Sequence, residues 1–213
     1  MRPAPSRRDE LEALTQEIGA ALRRAHAARE TALPLCREVI RLASRSIRAV
    51  HRGEVERSAD HAQQAEVALR QAQAALADFP EVAHSGPLHD AEKEYAESRL
   101  TAALLSDDPL PSPDELGVAG SAWLRGLAEA ASELRRHLLD GLRQGELTEG
   151  DQMLDLMDEV YEALFAIDFP DAITGGLRRT VDQLRGVLER TRGDVTTSVV
   201  QERLRSAIEG STA

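Results

Sequence analysis

Four glutamates lie in two pairs at helical spacing, and together they could bind a hard divalent cation. Glu94 and Glu97 are three residues apart, and Glu129 and Glu133 are four apart. Because an α-helix turns about 100° per residue, each pair shares one helix face. Carboxylate oxygens suit Mg²⁺, and a cation held by them can assist phosphodiester cleavage. The simpler alternative is a solvated helix face, since 37 of the 213 residues are Asp or Glu and such pairs also arise by chance.

The two pairs differ in their position relative to the apolar residues around them. On a helical wheel, Glu94 and Glu97 fall in the same arc as the leucines that follow them. A bare carboxylate is very costly to bury, so each of these two carboxylates must form an ion pair, carry a proton, bind a metal ion or face a polar cavity. Glu129 and Glu133 fall on the polar side of their own segment. They would join the first pair only if that polar side faces an interior space.

A separate segment predicts an arginine face near the N-terminus. On a helical wheel five arginines occupy an arc of about 80°, and apolar residues occupy the other side. The five are Arg37, Arg41, Arg45, Arg48 and Arg52. In a helix they would extend over about 22 Å, which matches a few backbone phosphates, each able to accept from two guanidinium N–H groups. A solvated or ion-paired face is the alternative, but only Glu38 interrupts the segment, whereas solvated faces usually mix charges.

The net charge of −11 does not exclude nucleic-acid binding, because the charges are unevenly distributed. Residues 1–57 contain 12 Arg against 8 Asp and Glu, whereas the rest of the chain is strongly acidic. A local basic patch, rather than a basic total, is what nucleic-acid binding requires. Lys93 is the only lysine, so arginine is used at almost every basic position.

Composition predicts one all-α globular domain. Hydrophobic residues make up 42% of the chain and aromatic residues only 3%, and Ala, Leu, Glu and Arg favour helices. We expect the domain to span residues 9–208, between flexible ends at 1–8 and 209–213. Cys36 is the only cysteine, so no disulfide forms within the chain. Neither a signal peptide nor a membrane span is predicted, and we expect a cytoplasmic protein.

Helical periodicity and turn residues predict seven helices. The first is either one long helix or two that meet at Pro34, because an interior proline kinks a helix. Residues 81–87 are expected to form a loop and residues 107–113 a rigid linker. The predicted helices cover residues 9–51, 54–78, 88–106, 121–143, 148–167, 170–192 and 194–208, with Asp194 capping the last.

Several short motifs follow one another along the chain in an order that characterises one family. They are Glu94-Tyr95-Ala96-Glu97-Ser98, residues 110–117, residues 124–129 with 132–134, residues 168–172, 177–179 and 188–195, and the arginine-rich segment before His51. In order and spacing these motifs resemble the translin family over roughly residues 10–208. The chain is more similar to translin-associated factor X, the catalytic partner of translin, and to its single-gene archaeal relatives than to translin itself.

The resemblance implies an all-α, closed, ring-like or shell-like oligomer, usually an octamer. Such proteins bind single-stranded or structured RNA and sometimes single-stranded DNA. Catalytic members are endoribonucleases that depend on Mg²⁺, with Mn²⁺ as a substitute, and their active site lies inside the oligomer. The catalytic and metal-binding positions of the family fall on Glu94, Glu97, Glu129 and Glu133. The third is commonly Asp, and the extra methylene of Glu129 moves the carboxylate by more than about 1 Å, which matters for the strict geometry of Mg²⁺.

Two other functional classes stay open on sequence alone. One is a noncatalytic translin-like oligomer that binds RNA or DNA, and the other is a helical scaffold without nucleic acid. A ferritin-like di-metal site needs Glu-x-x-His on two core helices, and only Glu81 and His84, in the expected loop, come near that pattern. Tyr95 is expected to anchor the core, with base stacking as the alternative.

Overall fold

All regular structure in the described residues is helical, which confirms the all-α class. The computed structural model describes residues 6–83, 86–106, 108–145 and 147–211. In chain order the helices are α1 (Arg7–Val50), α2 (Val55–Leu76), α3 (Pro80–Ala83), α4 (Pro87–Ser106), α5 (Pro113–Leu116), α6 (Gly120–Gln144), α7 (Leu147–Phe165), α8 (Asp171–Thr174) and α9 (Leu177–Ser211). Within these ranges no helix is both long and apolar enough to cross a membrane.

The first predicted helix is one continuous helix, and Pro34 lies inside it. It begins at Arg7, two residues before the expected start, because Ser6 and Asp9 form a capping box in which each side chain bonds the other's backbone N–H. The expected flexible ends fall partly on residues 1–5 and 212–213, which lie outside the described residues.

The prediction of separate helices over 170–192 and 194–208 was wrong. The short α8 ends at Gly175, which has a left-handed backbone (φ 62°), and α9 then continues through Asp194 to Ser211. Instead of capping a new helix, Asp194 accepts a hydrogen bond from Arg135 of α6 at 2.7 Å. Packing against α6 and α7 therefore overrides the weak helix propensity of Gly193 and Asp194.

Two segments expected to be irregular contain single helical turns. Residues 80–83 form α3, which contains Glu81 of the Glu81–His84 pattern, whereas His84 and Ser85 lie outside the described residues. The expected linker 107–113 includes the first residue of α5, Pro113, and Ser112 caps the start of that helix. Asp107 also lies outside the described part of the chain.

Helix α4 lies at the centre of the molecule. It packs against α1 and α2 on one side and against α6 on the other, and α6 packs in turn against α7 and α9. Most of its side chains are consequently buried, including Tyr95, Ala96 and Leu100. Polar residues of α4 therefore have to find partners inside the protein.

Both chain ends carry apolar residues away from this core. Leu11, Leu14, Ile18 and Leu22 follow one face of the N-terminal half of α1, and each is more than half exposed. A second exposed apolar stripe near the end of α9 contains Val200, Leu204 and Ile208. These exposed apolar stripes are typical of surfaces that another protein chain covers.

Candidate metal centre and arginine face

A glycine allows the two glutamate-bearing helices to approach closely. A Cβ atom added to Gly126 of α6 would lie 2.9 Å from the backbone N of Glu97 and 3.0 Å from the backbone O of Lys93. Any larger residue at this position would push α6 away from α4. Because Glu129 lies almost one turn after Gly126, the close approach places it opposite the glutamates of α4.

Three of the four glutamates singled out from the sequence come together at this point. One carboxylate oxygen each from Glu94, Glu97 and Glu129 lies within 4.8 Å of the other two. Glu97 is buried, whereas Glu94 and Glu129 are half-buried, so this carboxylate cluster is open to solvent on one side. No other group of three or more His, Cys, Asp or Glu side chains in the described residues is arranged in this way.

The fourth glutamate, Glu133, points to a different partner. Its Oε2 atom lies 2.7 Å from Nε2 of His51, whose side chain is only 2% exposed. This hydrogen bond, more than any other influence, lowers the pKa of Glu133 below its usual value. His51 caps the C-terminus of α1, so Glu133 connects α6 to the end of the arginine-bearing helix.

Lys93 lies inside the carboxylate cluster and was not among the predicted site residues. Its Nζ atom donates hydrogen bonds to Glu94 Oε1 (2.8 Å) and to Glu129 Oε2, and it lies 4.0 Å from Glu97 Oε2. Burial lowers the pKa of Lys93, but the hydrogen bonds to Glu129 and Glu94 raise it by more than burial lowers it. The net shift of the Lys93 pKa is therefore upward, and the ammonium stays charged. The signal was present in the sequence, because Lys93 adjoins Glu94 and precedes Glu97 by four residues, a helical ion-pair spacing.

Glu97 is the most perturbed acid in the cluster. Burial and the neighbouring carboxylates of Glu129 and Glu94 raise its pKa to about 9. It is therefore protonated at neutral pH when no metal ion is bound, since a second or third negative charge in so small a space is unfavourable.

The cluster fits a hard divalent cation. Magnesium ligands lie about 2.0–2.1 Å from the ion, so oxygens that share one ion lie about 3–4 Å apart. Oxygens within 4.8 Å of one another can reach that spacing by rotation of the glutamate side chains. The ammonium of Lys93 on two of these oxygens also shows that the cluster accommodates a cation.

Neighbouring Glu92 has a structural role instead. It is buried and accepts hydrogen bonds from the side-chain amide of Gln73 (2.9 Å) and the backbone N–H of Ala119 (3.3 Å). These bonds hold α2 and the start of α6 against α4. A count of acidic residues in this segment would not have separated Glu92 from the cluster.

The arginines lie on the outer face of α1. All five arginines named from the sequence are exposed, whereas Val39, Ala43 and Ile47 of the same helix are buried. Arg41 pairs with Glu38 through two hydrogen bonds, and Arg48 donates to Ser44 at 2.7 Å. Among the described residues, no side-chain hydrogen bond or ion pair is made by the other three, Arg37, Arg45 and Arg52.

The basic surface extends beyond the five predicted arginines onto α2. Arg45, Arg48 and Arg52 line one cleft together with Arg57 and His61 of α2. Glu54 also lines it and pairs with Arg57 at 3.2 Å. The turn at residues 51–54 folds α2 back along α1 and so adds Arg57 and His61. Because His51 lies between Arg48 and Arg52 in sequence and contacts Glu133, this arginine face adjoins the glutamate-bearing helix α6.

Other candidates have structural roles. Tyr95 is 1% exposed, so it anchors the core and is not free to stack on a base. Trp123 donates a hydrogen bond from Nε1 to the backbone O of Pro111 at 2.8 Å, which holds the α4–α6 connection in place. Cys36 is buried, and burial raises the pKa of its thiol, as for an unreactive core cysteine.

Comparison with known proteins identifies several relatives, although no family model matches the chain. An uncharacterized protein of Methanocaldococcus jannaschii, MJ0175, is 30% identical over 179 residues, which cover 83% of this chain and 79% of that protein. A solved structure of an AfC3PO–duplex RNA complex is 32% identical with a TM-score of 0.80, covering 88% of this chain and 97% of that one. A crystal structure of AfC3PO is 32% identical with a TM-score of 0.79, again covering 88% of this chain and 97% of that one. Apo-NeC3PO shares the fold, with a TM-score of 0.74 at 16% identity over 92% of this chain and 100% of that one.

Proposed function

This chain belongs to the translin family, and on that premise we propose that it is a cytoplasmic, RNA-binding, Mg²⁺-dependent endoribonuclease of the translin-associated factor X type. The observation that carries the proposal is that carboxylate oxygens from two helices lie within 4.8 Å of one another, those of Glu94, Glu97 and Glu129. An ordinary solvated acidic face would not bring carboxylates of α4 and α6 together around one point.

RNA binding is supported by the arginine face. Its exposed guanidinium groups follow one helix, and Arg37, Arg45 and Arg52 are not committed to ion pairs with the described residues. Guanidinium groups at this spacing suit successive phosphates of a strand. That AfC3PO has been solved with duplex RNA adds support from a relative at 32% identity. We expect single-stranded or structured RNA as the ligand and include single-stranded DNA in the binding tests.

Metal binding would fall to Glu94, Glu97 and Glu129. Bound there, Mg²⁺ or Mn²⁺ supplies Lewis-acid stabilisation of the charge that develops on the phosphate during cleavage. The three carboxylates would hold the ion between α4 and α6, and Glu97 must give up its proton to act as an anionic ligand. Glu133 is held by His51 and keeps the end of α1 in register with α6, so we assign it a positioning role.

Glu129 stands where the family commonly has Asp. Its longer side chain reaches the ammonium of Lys93 and the other carboxylates in this structure. The substitution therefore preserves the cluster, and we propose that Glu129 remains a metal ligand.

A second candidate function is a noncatalytic oligomer that binds RNA or DNA. The observation in its favour is Lys93, because an ammonium that bonds two of the three carboxylates could neutralise them permanently. In that case the cluster is an ion-pair network that joins α4 to α6, and only the arginine face has a function.

We also propose that the chain assembles into a closed homo-oligomer, an octamer by analogy with the family. The apolar stripes on the projecting ends of α1 and α9 support this, because each needs an apolar surface to cover it. Native mass spectrometry at micromolar concentration tests the assembly. Detection of monomer alone would rule it out.

One cleavage assay separates the catalytic and noncatalytic candidates. Labelled single-stranded RNA is incubated with the protein in Mg²⁺ or in excess chelator, and both binding and cleavage are followed on gels. Cleavage that requires Mg²⁺ supports the nuclease. Binding without cleavage in either condition supports the noncatalytic oligomer, and the absence of binding supports a scaffold without nucleic acid.

A further inference from the structure

We propose that Lys93 is a resident cation of the carboxylate cluster, and that a divalent metal ion binds there only by displacing the Lys93 ammonium from Glu94 and Glu129. The inference rests on the metal site of the proposed function and adds to it a residue that controls metal entry.

The ammonium and a metal ion would use the same oxygens. Lys93 Nζ bonds Glu94 Oε1 and Glu129 Oε2 and lies 4.0 Å from Glu97 Oε2. These are the three side chains whose oxygens lie within 4.8 Å of one another. A divalent ion among them would be within a few ångströms of the ammonium, where like charges in a partly buried site repel strongly. The two cations therefore exclude each other.

Burial explains why the ammonium occupies the cluster when no metal ion is bound. Lys93 is 7% exposed on a helix packed between α1 and α6, and a buried ammonium requires anionic partners. The nearest described partners are the cluster carboxylates. A route out also exists, because the side chains of Glu94 and Glu129 are 27% and 31% exposed and the lysine side chain has several rotatable bonds.

Two measurable consequences follow. Competition from Lys93 must weaken metal binding relative to a chain without this charge. The ammonium must also move from its buried position when metal binds, which makes it more accessible to solvent. Without metal, the same ammonium offsets repulsion among the carboxylates and so keeps α4 and α6 together.

The first experiment measures Mn²⁺ affinity of the full chain by electron paramagnetic resonance, with Lys93→Met as the variant. Methionine approximates the length of the lysine stem but carries no charge. We expect Lys93→Met to bind Mn²⁺ at least about tenfold more tightly, and to have a lower Tm than the wild type in chelator. The matched control is Arg135→Met, which removes one positive charge from the partly buried pair with Asp194, away from the cluster. It should bind Mn²⁺ like the wild type.

The second experiment uses the wild-type chain and does not depend on the folding of a variant. Lys93 is the only lysine, so an amine-reactive label on a lysine side chain reports this residue alone. Labelled peptides are quantified by mass spectrometry, with added Nα-acetyl-lysine as a reference for reagent activity. We expect slow labelling in chelator and at least about fivefold faster labelling in saturating Mn²⁺.

The outcomes distinguish this inference from the proposed function. Tighter Mn²⁺ binding by Lys93→Met with faster labelling of the wild type supports displacement. Binding by the variant alone also supports it, but contradicts catalysis by the native chain. If the wild type binds Mn²⁺ while the variant binds no more tightly and labelling does not change, the inference is wrong and the metal site stands. If neither protein binds Mn²⁺, both the metal site and the inference are wrong.

Discussion

The arginine face and the carboxylate cluster differ in the distance along the chain over which each is assembled. The arginine face belongs to one helix and its turn into α2, and its members are exposed. The cluster joins Glu94 and Glu97 to Glu129, 32 or more positions later, and its members are partly or fully buried. Changes to the arginine face should therefore affect binding and spare the fold, whereas changes to the cluster act on chemistry, packing and charge together.

The largest effect is expected from Glu97→Gln, which nearly preserves shape but removes an anionic ligand. A metal ion supplies several kcal/mol of transition-state stabilisation, so cleavage of labelled RNA in Mg²⁺ should fall at least about 1,000-fold. RNA affinity and oligomer size should not change. The control is Glu162→Gln on the exposed face of α7, which should cleave normally. Cleavage retained in Glu97→Gln, or equally fast in chelator, would remove the basis for the metal site.

The arginine face is tested by changing Arg41, Arg45 and Arg48 together to Glu. Each lost phosphate contact is a charge-assisted hydrogen bond of about 1.5–3 kcal/mol, so RNA affinity should fall at least about 100-fold. Wild-type affinity should also decrease steeply with salt as phosphate counterions are released. Binding is measured by fluorescence anisotropy, and helicity by circular dichroism should be unchanged.

A charge-matched control uses three exposed arginines of α9. Changing Arg185, Arg190 and Arg203 to Glu alters net charge by the same amount but leaves the arginine face intact. It should retain most of the affinity. Equal losses in both triple variants would mean that overall charge, rather than this face, controls binding, and unchanged binding by the first would shift attention to Arg178 and Arg179.

Gly126→Ala tests whether close helix packing builds the cluster. The new Cβ would contact the backbone of α4 at 2.9–3.0 Å, so α6 must shift, at a cost of about 1–3 kcal/mol in unfolding free energy. Separation of Glu129 from α4 should weaken Mn²⁺ binding as well. Gly193→Ala is the control, because it also lies inside a helix but meets nothing within 4 Å, and it should be neutral or slightly stabilising. Chemical denaturation measures both, and equal stabilisation by the two changes would contradict the packing argument.

Metal binding should depend on pH because of Glu97. The pKa of Glu97 is raised to about 9, so the ion must displace a proton at pH 7, and affinity should rise about tenfold per pH unit until the pH reaches that pKa. Calorimetric titration with Mg²⁺ in two buffers of different ionisation enthalpy should detect release of about one proton at pH 7. Binding without proton release would show that Glu97 is not a ligand or is already ionised.

The smallest effect is expected from Glu129→Asp. It restores the side chain common in the family, so Mg²⁺-dependent cleavage should be retained or improved by a few-fold. The shorter carboxylate also loosens contact with Lys93, which should not reduce cleavage if this ammonium competes with metal. A strong loss of cleavage, measured by the same RNA assay, would indicate that the cluster has adapted to the longer glutamate.

The all-α class, the order of the main helices and the exposure of the five arginines can be predicted from the amino-acid sequence alone. These properties depend on local periodicity, since residues three or four apart share a helix face whatever surrounds them. The same local reasoning identified Glu94, Glu97, Glu129 and Glu133 as candidates. It failed at Asp194, where contact with Arg135 and packing of α9 overrode a local signal for a helix start.

Which glutamates meet, and which residue lies between them, depends on how the helices pack against one another. Helix faces predicted from a wheel do not specify the distance between two helices, and here Gly126 sets that distance by allowing α6 to contact the backbone of α4. The fold joins Glu129 to the α4 pair and turns Glu133 toward His51. Burial of α4 then forces Lys93 into the cluster, because a charged group enclosed by protein is stable only beside opposite charges.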